Sequence, residues 1–150
     1  SQSVKTTESF LTAVRAIGFK TLMNEKTLVD GVQIVGVDYK STAHRSKYKK
    51  VLEKISVDPA LPSILLRHVP SHNSIADKAG ISFQISGHTH HAQIFPLNLI
   101  PPLVYGKYSY GLHRHGQMYV FTSDGGGTWG PPIRFGTYAE IVEILFTNTE

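Results

Sequence analysis

The run 81-ISFQISGHTHHAQ-93 drives an apolar segment straight into three histidines within four positions, His88, His90 and His91. Residues 81–86 read as a strand. A second short apolar segment, 63-SILLRHVP-70, ends on His68, and Pro70 stops it from continuing. In layered α/β proteins the carboxyl ends of parallel strands face one edge of the sheet, where ligands bind. If these two strands are parallel neighbours, His68, His88 and His90 converge on that edge. After Ser86 the strand is expected to give way to a loop rather than to continue. Gly87 is expected to open that loop and turn both His88 and His90 inward. Such imidazoles can serve one metal ion, or one each of a close pair, of the Zn, Fe, Ni or Mn type. His91, next to the cluster, is a candidate substrate contact. No catalytic acid or base is assigned.

Outward from this stretch, the pattern predicts an α/β protein. Residues 7–17 read as a helix with Phe10, Leu11, Val14 and Ile17 on one face and Gly18 as its stop. Residues 20–39 read as a hairpin turned at Asp30-Gly31. A basic helix comes next at 43–55, with Tyr48, Val51, Leu52 and Ile55 at helical spacing. Residues 71–80 form a turn and a short helix, and His72 is a turn residue. Further strands are expected at 117–123 and 140–146. His113 and His115 fall in a hairpin, and His44 in the basic helix. The stretch 94-IFPLNLIPPLVY-105, cut by three prolines, reads as a packed loop. The Gly/Pro segment 124-DGGGTWGPPIRFG-136 reads as an ordered loop, with no Lys-Ser/Thr after its glycines to make a P-loop.

Bulk composition narrows the class. With 150 residues, 41% hydrophobic and 17% charged, the chain suits a single folded domain rather than a disordered one. It has no cysteine, so any metal must be held by His, Asp, Glu or Asn, and a closed four-ligand structural zinc site fits poorly. No apolar run approaches the roughly 20 residues of a membrane helix, and Ser1 opens a segment without a signal-peptide core. A longer parent could carry such elements upstream. The net charge of +4 is concentrated in 40-KSTAHRSKYKK-50. That cluster could attract anions, but its lysines fall on the outer side of an ordinary amphipathic helix. It lacks the interleaved aromatics of a single-strand binder, so no nucleic-acid partner is indicated.

The pair 65-LLRHVP-70 and 86-SGHTHHAQ-93 resembles the last two motifs of the calcineurin-like metallophosphoesterases. In that family a hydrophobic strand ends in a ligand His, and Gly-His-Thr-His comes some residues later. The run 105–146, with Tyr-Gly-Leu at 110–112 and GTWGPPIR at 127–134, is similar to the C-terminal end of one bacterial-type branch. The segment 9–25 is similar to the one just after the family's Gly-Asn-His motif. The resemblance covers nearly the whole chain. It implies the C-terminal half of a four-layer αββα sandwich and hydrolysis of phosphate esters at a centre of two divalent metal ions. His68 and His88 would bind one ion and His90 the other. Gln93 matches the family's residue after the histidines, whereas His91 and Ala92 depart from its usual small pair.

The family's Asp-x-His, Gly-Asp and Gly-Asn-His motifs do not occur in this chain. Asp38 follows a predicted strand, but no His stands two residues on; Asp30 belongs to a turn. The chain therefore looks like a single partial domain that begins just past Gly-Asn-His. Three imidazoles without a bridging carboxylate are expected to hold metal weakly and to turn over esters poorly. A sheet face left without the other half is expected to be apolar and to favour self-association or pairing with that half. The alternative is a non-catalytic module that binds a metal or an anion. The compartment is left open; for a parent protein it would be cytoplasmic or membrane-peripheral.

Overall fold

The computed structural model describes residues 2–147. Helix α1 (Gln2–Ala16) precedes a hairpin of β1 (Glu25–Val29) and β2 (Val32–Gly36). A single turn, α2 (Tyr39–Thr42), leads into α3 (Arg45–Ile55), β3 (Ser63–Leu66), α4 (Asn73–Lys78) and β4 (Phe83–Ser86). Then come α5 (Ile100–Tyr105), β5 (Gly111–His115) and β6 (Met118–Thr122). The strands make one mixed sheet in the order β1-β2-β3-β4-β6-β5. Its four inner strands, β2, β3, β4 and β6, are parallel, and the two outer pairs are antiparallel. The expected α/β class holds. The hairpin turns at Asp30 and Gly31, both in the left-handed region at φ 48° and 82°. Both outer pairs obey the hairpin rule, and the inner strands the crossover rule that parallel strands need.

The core lies on one face of the sheet. Val35, Leu65, Met118 and Val120 point from the strands into Tyr48, Leu52 and Ile55 of α3 and Ile75 and Ala76 of α4, all buried. The helical spacing of α3 puts these three residues on one stripe and its lysines outside. Burying each such side chain contributes roughly 1.5–3 kcal/mol. Gly36 closes β2 where residue 22 crosses; a Cβ there would run into the Leu22 side chain and carbonyl.

The opposite face is different. Leu66 is 42% exposed and Tyr119 45%, and Val29 and Leu112 are also exposed. Away from the sheet contacts just described, Leu11 and Val14 of α1 are half-buried, whereas Phe10 and, just past the helix, Ile17 stay exposed. The expected strand at 140–146 does not form. Its alternation is strand-like, but the open side of β6 is already taken by β5. The segment instead lies on the bare face, where the Phe146 ring meets Phe83 edge-on at 5.3 Å. The stretch 94–105 is a second correction. It contains a 3-10 turn at Leu97–Leu99 and then α5, with Pro101 and Pro102 in the first helical turn, where an N–H has no partner to lose. No helix among the described residues is long and apolar enough to cross a membrane.

Candidate functional site

Four parallel strands end at one sheet edge, and each delivers a polar residue there. Asp38 stands after β2, His68 after β3, His88 after β4 and Asp124 after β6. The ladder continues past the strands into these residues. The Arg67 N–H donates to the Ile85 carbonyl at 3.0 Å, the Gly87 N–H to the His68 carbonyl at 3.1 Å, and the Ser123 N–H to the Ser86 carbonyl at 3.0 Å. His68 and His88 are thereby fixed as neighbours: His68 Nε2 and His88 Nδ1 are 3.0 Å apart. Tyr39 meets the His68 ring edge-on at 5.3 Å, and Tyr105 meets the His88 ring at 6.2 Å. His90 is half-buried and lines the same cavity of about 670 Å³ as His68 and His88. Its Nδ1 is buried without a hydrogen-bond partner.

The electrostatics favour neutral rings. Loss of solvent lowers the pKa of His68 below its ordinary value, and nearby His90 lowers it further. His88 is lowered in the same way, by lost solvent and then by His68 and His90. A neutral imidazole is the form that ligates metal. The donor chemistry therefore suits a divalent ion, and the orphaned Nδ1 of His90 is an unused donor. The number of ligands falls short: among the described residues no group of three His, Cys, Asp or Glu is close enough to hold one ion. Nor does any carboxylate among them line the shared cavity.

The loop after β4 departs from expectation in how it turns. Gly87 lies outside the left-handed region, and a Cβ on it would meet nothing nearer than the Ser123 carbonyl at 3.9 Å. The positive φ angles fall on His88 (74°), His90 (47°), His91 (48°), Ala92 (51°) and Gln93 (59°). For L residues each costs about 1 kcal/mol or more, so tertiary contacts must hold the loop. Those contacts come from the Gly/Pro segment. Gln93 is 3% exposed; its Nε2 donates to the carbonyls of Trp129 at 3.0 Å and Ile133 at 3.2 Å, and its Oε1 accepts from the Trp129 N–H. Arg134 donates to the Asp124 carbonyl at 2.9 Å, Gly125 at 3.1 Å and Gly127 at 2.5 Å, and reaches the His90 carbonyl at 3.5 Å.

His91 does not line the cavity. Its Nδ1 lies 3.4 Å from Asp124 Oδ2, and its ring stacks on Tyr110 at 5.4 Å. Asp124 is 5% exposed, and burial pushes its carboxyl pKa up despite His91 beside it. Asp124 stands just past the end of β6, so the rule that singled out His68 and His88 could also have found it. Gln93 and Arg134 as clamps carry no local signal. Asp38, whose Oδ2 accepts from the Ser41 N–H at 2.8 Å, caps α2. His113 and His115 sit in the β5–β6 hairpin, and His115 Nδ1 lies 2.7 Å from the Tyr108 hydroxyl.

No model of a protein family matches the chain, and no solved structure matches it. Curated relatives do. An uncharacterized metallophosphoesterase of Helicobacter pylori strain J99 is 33% identical across 91% of this chain and 38% of its own length. One from Campylobacter jejuni is 33% identical across 82% of the chain and 33% of its own length. The uncharacterized metallophosphoesterase YkuE of Bacillus subtilis is 30% identical across 88% of the chain and 46% of its own length. The chain thus spans between a third and a half of each of these relatives. Together with the mixed α/β sheet, they establish that the chain belongs to the metallophosphoesterase family.

Proposed function

We propose that this chain supplies the histidine side of a metal-dependent phosphoester hydrolase, acting on a phosphate monoester or diester. The observation that carries the reading is the 3.0 Å approach of His68 Nε2 to His88 Nδ1 at the ends of adjacent parallel strands, with His90 on the same cavity. His68 and His88 would hold one divalent ion and His90 would contribute to a second. When bound, such ions supply Lewis acidity toward a phosphoryl oxygen and an acidified water. The chain's own contribution is to keep neutral imidazoles in place, through strand pairing on one side and the Gln93–Trp129 clamp on the other. His91 would reach substrate only by leaving Asp124.

Three imidazoles carry no negative charge, so two dications would repel each other here without carboxylates from elsewhere. The chain by itself is expected to bind metal weakly and to hydrolyse esters slowly. Titration calorimetry with Mn²⁺ and metal analysis test this. Weak binding that His88→Ala and His90→Ala each reduce supports the reading. Unchanged binding in both variants sinks it, and two tightly held ions with fast bis(p-nitrophenyl) phosphate hydrolysis would refute the expected weakness of the chain alone. The bare sheet face supports a second proposal, that the chain self-associates or pairs with a covering segment.

A further inference from the structure

The cavity that holds the three imidazoles is amphipathic. One side presents His68, His88 and His90, and the other presents Leu97, Ile100, Pro101, Val104 and Trp129. These apolar groups are largely open to water: Leu97 is 48% exposed, Ile100 51%, Val104 64% and Trp129 77%. Next to them, outside the cavity, Leu103 is 84% and Phe95 56% exposed. A contiguous apolar surface of this kind beside a polar cluster marks a binding site more often than a scatter of single residues does. The wall is also built to stay in place. Pro101 and Pro102 stiffen the first turn of α5, and Gln93 grips the Trp129 backbone on both its N–H and its carbonyl.

We infer that the substrate is an amphiphilic phosphoester, with its phosphate at the imidazoles and its aliphatic chain along Ile100, Val104 and Trp129. This rests on the phosphoester reading of the site and adds the substrate class to it. The chemistry of the two walls fits it: a small hydrophilic ester would leave the apolar wall wet, and a purely apolar ligand would leave the imidazoles without a polar partner. A cavity of about 670 Å³ is large enough for a phosphate and a medium alkyl chain.

Trp129 is the chain's one tryptophan and stands on this wall, so its fluorescence reports the site directly. Hexyl, octyl, decyl and dodecyl phosphate, each below its micelle concentration, are titrated with Mn²⁺ present. Affinity should rise by up to about 4-fold per buried methylene until the chain outruns the cavity, with a blue shift of Trp129 emission. Ile100→Ser and Val104→Ser, both at exposed positions, should flatten the series and leave inorganic phosphate binding unchanged. Leu112→Ser, exposed on β5 and outside the cavity lining, should leave the whole series intact. A flat wild-type series overturns the inference. It leaves the phosphoester reading standing if inorganic phosphate still binds and His88→Ala removes that binding. Alkyl maltosides that bind as tightly as the phosphates sink the phosphoester reading, and this inference with it. If the wall is instead the seat of a second copy, light scattering finds a dimer that Val104→Ser dissociates, which also overturns the inference.

Discussion

The two faces of the one sheet carry similar residues and meet opposite fates. Leu65 and Leu66 are neighbours on β3; Leu65 is fully buried against the α3–α4 layer, and Leu66 is 42% exposed on the other side. The alternation of a strand sends them to opposite faces. What differs is whether a layer covers the face. On the covered side, α3 brings Tyr48, Leu52 and Ile55 onto the strands. On the bare side Leu66, Tyr119 and Leu112 remain exposed. Apolar pattern is thus a statement about what a face needs, and burial depends on a partner being present. The largest expected effects belong to this contrast. Leu65→Ala should cost about 3 kcal/mol in urea unfolding, and Leu66→Ala less than about 1. Equal costs would mean the bare face is covered in solution. Light scattering sharpens the point: if the bare face drives self-association, Leu66→Lys with Tyr119→Lys should yield a monomer of unchanged secondary structure.

Next in size is a buried cation between the core and the site. Arg67 is 6% exposed, and no Asp or Glu among the described residues pairs with it. Its Nη1 donates to the Val69 carbonyl at 2.6 Å and to the Ser71 carbonyl, its Nη2 reaches the Thr42 carbonyl at 3.4 Å, and its guanidinium lies 4.2 Å over the Tyr48 ring. Burial lowers the Arg67 pKa and pushes the Tyr48 hydroxyl up to about 12. Arg67→Met would strand these carbonyls and should cost about 3 kcal/mol by denaturant titration. A cost near zero would mean that water replaces the guanidinium.

How much of this was legible in the sequence depended on how local its cause was. The inner strands could be read because each is a short apolar run bounded by a turn signal, and the β1–β2 hairpin because Asp30-Gly31 suits left-handed backbone. The pairing of His68 with His88 is a consequence of parallel strands ending in register, so it too could be expected. Residues 94–105 misled because proline reads as a breaker, whereas Pro101 and Pro102 occupy the one helical turn that tolerates them. Residues 140–146 misled because alternation does not reveal whether an edge is free. The left-handed backbone at His88 and from His90 to Gln93 had no local signal at all. Its residues other than glycine hold that backbone because Trp129, Ile133 and Arg134 reach back from 36 to 44 positions away.

Acid should act on the site in a defined direction. His68 and His88 have folded pKa values below their ordinary 6.5. A base whose pKa is depressed by folding is held neutral, so its stability contribution is full above 6.5 and is lost as pH falls through the lowered pKa. The urea midpoint should therefore drop on acidification from pH 7 toward 5, and His68→Gln with His88→Gln should flatten part of that drop. Because both rings are largely exposed, the effect should be smaller than that of Leu65→Ala. A midpoint that rises on acidification in this range would reverse the sign and contradict the neutral-ring assignment.

The smallest expected effect returns the comparison of faces to a single helix. On α3, Leu52 is 2% exposed and should cost about 3 kcal/mol as Leu52→Ala. On its outer side Lys49 Nζ lies 3.6 Å from Glu53, with the two side chains 68% and 61% exposed. The pair is solvent-screened, and its lysine precedes its glutamate, the weaker order for an i, i+4 pair. A double-mutant cycle with Lys49→Ala and Glu53→Ala should return a coupling of about 0.3 kcal/mol or less, vanishing at high salt. A coupling above about 1 kcal/mol would mean that this outer face is not free but is desolvated by something docked on it. The basic segment 40–50 would then be a contact surface rather than the wet side of a helix whose stability comes from Tyr48, Leu52 and Ile55.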